Sequence, residues 1–202
     1  MESIDRVYNA FYTEKNRWLY FSELIKKTGL SNSSLQNILN KLKKKGELET
    51  NKQTSNIFFK IIDTKKPFIF SKIDQKRLED LNPEVRLPLK NWLKVFPKQI
   101  ESVLLFGSAS RKQEREGSDI DLVIILHKFS NEDLQKLYLK EIRQNIDKIT
   151  KDINSESNYP LKPIFIDIDS FKTSKDHLIN QAKETGFPIF GNLEYYTENE
   201  KN

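Results

Sequence analysis

The sequence predicts an α+β protein of two modules: a helical N-terminal unit that ends in a β-hairpin, and a C-terminal α/β unit. Three observations predict it. Between residues 4 and 62, three helical patterns separated by short polar turns run into two β-like segments. From residue 100 onward, short apolar runs of strand length alternate with helical patterns. Charge is divided the same way. Residues 1–70 hold 13 Lys/Arg against 7 Asp/Glu, a balance of +6, while the other 132 hold 21 against 22, a balance of −1. A chain of 202 residues is long enough for one ordinary domain and one small one.

In the N-terminal unit a first helix is expected over roughly 3–13. Ser22 is the expected cap of a second helix, SELIKKTG, which Gly29 stops. Ser31 is the expected cap of a third, NSSLQNILNKLKKKG, stopped by Gly46. In that third helix Leu35, Ile38, Leu39 and Leu42 share one stripe at i, i+3, i+4 and i+7 spacing, which predicts the buried face. The opposite side carries Ser34, Asn37, Lys41 and Lys44. The strands GELET and NIFFKII follow, joined by the polar turn NKQTSN. Helix, short turn, helix and hairpin over about 60 residues resemble a winged helix-turn-helix. That resemblance implies contact with DNA or RNA through Ser33, Ser34, Asn37, Lys41 and Lys44 of the third helix and Lys52 of the wing. Two plainer alternatives stay open: a solvated lysine-rich surface, and a winged helix that docks protein rather than nucleic acid.

Residues 63–75 read as a connector, followed by a helical stretch over 74–96 that Pro83 and Pro88 interrupt. It ends in Trp92, Leu93, Val95 and Phe96, expected to pack on the next module. Strands are then expected at 102–107, 119–126 and 163–168. Helices are expected at 131–152, with Leu134, Leu137, Tyr138, Ile142 and Ile146 on one face, and at 173–185. The run FPIFG closes the module. The expected boundaries are 1–70, 71–99 for the helical connector, 100–193 for the α/β module and 194–202 for a flexible tail.

Composition narrows the chemistry. With no cysteine there are no disulfides, thiolate metal sites or cysteine nucleophiles. The two histidines, His127 and His177, have no ligand-spaced company and read as ordinary residues. No apolar run approaches the ~20 residues that span a bilayer, and the segment MESIDRVYNAFY lacks an apolar signal core. The expectation is a soluble cytoplasmic protein without a membrane partner.

The residues that carry chemistry lie in LLFGSASRKQEREGSDIDLVII, residues 104–125. Gly107 and Ser108 end one strand, and Asp119 and Asp121 stand at the next. On a strand, residues 119 and 121 point to one side, about 7 Å apart at ~3.3 Å per residue. Two carboxylates so placed suit a hard divalent cation such as Mg²⁺ or Mn²⁺, which keeps water and phosphate oxygens as its other ligands. Ile120 points into the core, while Val123 and Ile125 follow the aspartate side deeper in the sheet. Gly107 lets the backbone approach a triphosphate. Ser108 offers a hydroxyl and an amide to it, Arg111 a guanidinium, and Ser118 a hydroxyl for a phosphate or for orienting an aspartate.

This GS-x10-DxD pattern resembles the polymerase-β-like nucleotidyltransferase superfamily, and LFGSASR…GSDIDLVI resembles its minimal nucleotidyltransferase branch. The resemblance implies a nucleotidyltransferase fold with a mixed sheet, joined here to a winged helix. It implies nucleotide binding by Gly107, Ser108, Arg111 and Ser118, and metal binding and catalysis by Asp119 and Asp121. ATP or another NTP is the implied substrate, and the AMP group passes to a hydroxyl of a protein or nucleic-acid acceptor. Lys112 stands where the family commonly has a glycine, so a differently shaped loop is expected. Arg111, Lys112 and Arg115 also admit the plainer reading of a solvated loop.

The family supplies a third carboxylate from the third strand. Aligning the apolar run of YPLKPIFIDIDSF puts Lys162 at that position. Asp167 is retained as a candidate third ligand, although it lies five residues farther on and also suits a strand end. Asp169 or Ser170 is the expected cap of the following helix, and Glu101 is expected at the wrong end of the sheet. The rival reading is therefore a DNA-binding transcriptional regulator, antitoxin-like, with a degenerate nucleotide-sensing domain. A partner protein as acceptor and a homodimer both fit the pattern.

Overall fold

The computed structural model describes residues 2–54, 56–94, 96, 100–127 and 132–198, without the side chains of 132–138 and 198. The chain divides into two compact units, Met1–Ile73 together with Tyr196–Asn202, and Asp74–Tyr195.

The first unit begins with α1 (Ser3–Thr13), β1 (Leu19–Tyr20), α2 (Phe21–Thr28) and α3 (Asn32–Lys44), then β2 (Leu48–Gln53) and β3 (Asn56–Ile61). Its sheet runs β1-β3-β2, antiparallel throughout. The predicted stripe of α3 is inside: Leu35, Leu39 and Leu42 are buried and Ile38 is half-buried. Ser31 caps α3 as expected, its Oγ accepting from the Ser34 amide at 3.3 Å.

Other local expectations need correction. The residue preceding α2 is Tyr20, not Ser22, and its amide donates to Glu23 Oε2 at 3.2 Å. Glu23 therefore answers the helix start from inside the first turn. The hairpin strands extend through most of NKQTSN, because Lys52 pairs with Ile57 and Gln53 with Asn56. Sequence reading also missed β1, which adds a third strand, and Asn16. Asn16 is buried at φ 57° and clamps the end of β3, donating to the Ile61 carbonyl at 2.9 Å and accepting from its amide at 3.0 Å.

The expected connector at 63–75 is instead largely helical, as α4 (Lys66–Glu79). Phe70 of α4 meets Tyr12 and Tyr196 edge-on at centroid distances of 5.0 and 5.3 Å. A second helix, α5 (Pro83–Leu93), starts at Pro83, where a proline costs no hydrogen bond, and Asn82 caps it by accepting from Glu84 at 3.1 Å.

The second unit continues with β4 (Ile100–Phe106), α6 (Gly107–Ser110), β5 (Ile120–Leu126), α7 (Glu132–Asn154), β6 (Leu161–Asp167), α8 (Ile168–Thr173), α9 (His177–Thr185), β7 (Phe187–Phe190) and the start of α10 (Asn192–Glu198), the boundary falling after Tyr195. Its four-stranded sheet has the order β6-β5-β4-β7. The sheet is mixed: β5 and β6 are parallel, and the other pairs antiparallel. Alternation along β5 divides the core. Ile120, Leu122, Ile124 and Leu126 pack with Val85, Leu89 and Trp92 of α5 and Ile142 and Ile146 of α7. Val123 and Ile125 pack with Phe171 of α8 and Ile179 and Ala182 of α9. The Trp92 indole N–H donates to Thr150 Oγ1 at 2.9 Å, tying α5 to α7.

Val95 and the side chains of Leu134, Leu137 and Tyr138, named in the expected apolar groups, lie outside the described residues. The expected helix over 173–185 is α9, which starts only at His177 and is capped by Asp176 through the amides of Leu178 and Ile179; the separate α8 before it was not expected. Residues 194–198, expected to open a flexible tail, belong to α10, and Tyr196 is buried.

Candidate nucleotide site

Four segments of the second unit converge at one end of its sheet. The first is the turn after β4. Gly107 has φ +72°, a left-handed conformation that favours glycine, and a Cβ built there would lie 2.1 Å from Asp121 Oδ2. Asp121 stands opposite Phe106 in the β4–β5 ladder, so the register brings its carboxylate against the glycine. The pattern read from sequence as Gly107 followed at a distance by Asp121 is thus a direct juxtaposition.

The second segment is α6 and its loop. Ser108 is half-buried at the turn, and Ser110 Oγ donates to the Gly107 carbonyl at 2.9 Å. The Arg111 and Gln113 amides both donate to the Ser108 carbonyl, each at 3.0 Å, folding the loop back on the turn. The Arg111 Nε donates to Gln113 Oε1 at 3.2 Å. Lys112, at the position where a glycine was expected, adopts φ +55°, a left-handed conformation that favours glycine, so this turn of the loop is held by a strained lysine. Lys112 and Arg115 are both exposed. Ser118 Oγ accepts from the Arg115 amide at 2.9 Å, and the Ser118 amide returns a bond to the Arg115 carbonyl at 2.8 Å. Its hydroxyl therefore closes the 115–118 turn, which sets the approach of the chain to Asp119.

The third segment is the start of β5. The Ile120 amide donates to the Pro160 carbonyl at 2.8 Å, locking β5 to the entry of β6. Burial raises the Asp121 carboxyl above the ordinary aspartate range, and the neighbouring Asp119 charge raises it further, while Lys162 and Arg111 pull it back.

The fourth segment is the start of β6. Lys162 is the register partner of Asp121 and forms an ion pair with Asp119. The hydrogen bond to Asp119 raises the lysine above its ordinary range.

Asp167 is not part of this group. It pairs with Leu126 at the other end of β5, five residues along β6 from Lys162, or roughly 16 Å at strand rise. There its carboxylate accepts from the Ser170 amide at 2.8 Å and caps α8, a role the sequence reading gave to Asp169 or Ser170. Glu101 is at that far end too, buried, with His127 Nδ1 3.4 Å from its carboxylate. Among the described residues no three His, Cys, Asp or Glu side chains cluster to hold a metal ion. Asp119 and Asp121, the first already held by an ammonium, do not make a three-acid site for a pair of divalent ions. They fit a single Mg²⁺ or Mn²⁺ that draws its remaining ligands from water and phosphate.

Residues 89–194, more than half of the chain, match the family model described as Polymerase beta, Nucleotidyltransferase. The chain belongs to this nucleotidyltransferase family. The matched span takes in β4, the Gly107–Ser108 turn, Asp119, Asp121 and Lys162. No curated protein matches the chain.

One residue that supports the nucleotidyltransferase turn was not legible beforehand. Arg77 of α4 places its guanidinium 4.0 Å over the Phe187 ring and donates to the Ser110 carbonyl at 3.5 Å, bracing α6 from outside the motif. Its partners lie 33 and 110 residues away in sequence, and neither spacing leaves a local signal.

Proposed function

We propose that the C-terminal unit binds ATP and transfers its AMP group to a hydroxyl of a protein or nucleic-acid acceptor. The observation that carries this reading is the seating of the Asp121 carboxylate against Gly107, beside Ser108 and Asp119. A backbone turn without side chain lets phosphates approach, and the acids lie at its edge. In the reaction the acceptor oxygen bonds to the α-phosphorus, the bond to the bridging α–β oxygen breaks, pyrophosphate leaves, and the hydroxyl proton passes to solvent. Gly107 and Ser108 hold the phosphates, Arg111 pairs with them, and Asp119 and Asp121 would hold one Mg²⁺. That ion, when bound, supplies charge neutralisation on the phosphates.

The N-terminal unit we read as a winged helix-turn-helix that binds duplex DNA. Supporting this are the order α1, β1, α2, α3, β2, β3 and the short 29–31 link between α2 and α3. Ser33, Ser34, Asn37, Lys41, Lys44 and Lys52 are all exposed. A cleft of about 630 Å³ lies between α3 and the hairpin, lined on the helix side by Gln36, Asn40 and Lys43 and on the hairpin side by Lys52 and Asn56. On this reading Gln36, Asn40 and Lys43, which line the cleft, join the proposed DNA-binding face.

Incubation with α-³²P-ATP and Mg²⁺ tests the enzyme reading, with Asp119→Ala/Asp121→Ala as control. Label transferred to the protein itself, RNA or lysate protein, and lost in the control, is the expected result; equal label in both sinks it. The ion pair of Lys162 with Asp119 favours a second reading, a DNA-binding regulator whose nucleotidyltransferase domain senses nucleotide without turnover. That reading predicts no transfer, together with salt-sensitive duplex binding that is lost when Lys41, Lys43 and Lys44 are neutralised.

A further inference from the structure

Parallel pairing sets Lys162 beside Asp121 on adjacent strands, where register partners share a face of the sheet. Asp119 shares that face from two residues back, and the next residues of β6 on the same face, Ile164 and Ile166, pack into the core below it. The ammonium thus stands at the mouth of the site, over the acid pair. Its side chain is 63% exposed, so the bond to Asp119 is of the weak, exchangeable kind. Arg111 is the other cation whose charge reaches Asp121. The formal charges of Asp119, Asp121, Arg111 and Lys162 sum to zero, so the site itself does not repel a polyanion.

We propose that Lys162 is a built-in cation of this site, exchanging from Asp119 to a phosphate oxygen of a bound nucleoside triphosphate, so that the nucleotide is held with one divalent ion or with none. The inference rests on the nucleotide reading given above. An acid at position 162 would make the corner strongly negative, and a triphosphate could then enter only with divalent ions. A lysine there removes that requirement and gives up a metal ligand in exchange. The chain thereby separates nucleotide binding from metal loading.

Titration of the full chain with a fluorescent N-methylanthraniloyl ATP, in Mg²⁺ and in EDTA, tests this alongside Lys162→Gln and Lys162→Asp. Bound Mn²⁺ per chain is counted by electron paramagnetic resonance. Lys162 is exposed, so both variants are expected to fold. The wild type should bind in EDTA within about tenfold of its affinity in Mg²⁺, and Lys162→Gln should lose about tenfold in EDTA, the worth of one charge-assisted bond. Lys162→Asp should bind only with divalent ions and hold more Mn²⁺ than the wild type. Binding that requires Mg²⁺ in the wild type, or that is indifferent to Lys162→Gln, overturns the inference while leaving the nucleotide reading standing. Absence of nucleotide binding in both buffers overturns both.

Discussion

The two ends of β4 present the same backbone device with different neighbours. At one end Gly107 has φ +72° and at the other Gly191, next to β7, has φ +63°. A Cβ on Gly107 would meet the tip of a side chain, Asp121 Oδ2 at 2.1 Å, whereas a Cβ on Gly191 would meet the Glu101 backbone carbonyl at 1.9 Å. The flanking acids differ likewise. Asp119 and Asp121 share a face with Lys162, while at the far end Glu101 is buried beside His127 and Asp167 caps a helix. One end gathers acids and a lysine on one face beside a side-chain-free turn, and the other closes the sheet. A glycine and an acid in sequence do not say which end they mark; the atom that the missing Cβ would strike does.

The sharpest way to break that contrast is to add the methyl groups. Gly191→Ala forces a side chain against backbone that cannot turn aside, in a strained conformation. It should cost roughly 3 kcal/mol, which lowers the melting temperature by about 6–12 °C for a chain of this size. Calorimetry checks it, and a shift of a degree or less would show that the β7 turn yields. Gly107→Ala meets a carboxylate that can rotate, so the fold should lose only about 1–2 kcal/mol. The displaced Asp121 should instead lower nucleotidyl transfer by about 100-fold, as misplacement of a reacting group by an ångström does. Near-normal transfer by this variant would remove the Gly107–Asp121 contact from the mechanism.

A smaller effect is expected from Asp167→Ala. Loss of the α8 cap should cost about 1 kcal/mol and leave nucleotide binding unchanged. Burial alone would push the Asp167 carboxyl up, but the bonds from Ser170 and the neighbouring amides outweigh it and hold the carboxyl below the ordinary aspartate range. A lowered folded-state value stabilises above the unfolded value and is lost as pH falls through the folded one. The gap between wild type and variant in urea melts should therefore be full at neutral pH and close below about pH 4. A gap that persists in acid, or altered nucleotide binding, would undo the assignment of Asp167 to the closing end.

The site end was the more legible of the two because its signals are local. Gly107, Ser108, Asp119 and Asp121 lie within 15 residues, and the alternation of Ile120, Leu122 and Ile124 against Val123 and Ile125 gives the two faces of β5 directly. The Ser31 cap and the leucine stripe of α3 were legible for the same reason. What escaped depends on distant partners: β1 exists because β3 pairs with it, Asn16 because it reaches Ile61, and Arg77 because Phe187 offers a ring face. The start of α4 was read as connector because lysines and phenylalanines in KPFIFSK are not sorted onto separate faces. Asp167 was legible as an acid five residues beyond Lys162, but that it sits opposite Leu126, away from Asp121, followed only from the β5–β6 register.

The smallest test concerns how the site end keeps its loop. Lys112 holds φ +55° without a glycine's freedom, and the side chain is exposed, so only backbone strain opposes it. Removing that strain is worth about 1 kcal/mol, but a glycine also loosens the unfolded chain by about 0.4–1 kcal/mol. Lys112→Gly should therefore stabilise by no more than about 0.5 kcal/mol, or about 1–2 °C. Lys112→Val, with a β-branched side chain in the same conformation, should destabilise instead. If valine and glycine melt alike, the loop has left the left-handed path. The ties from the Arg111 and Gln113 amides to Ser108, rather than the conformation of residue 112, would then be what holds the Gly107–Ser108 turn in place.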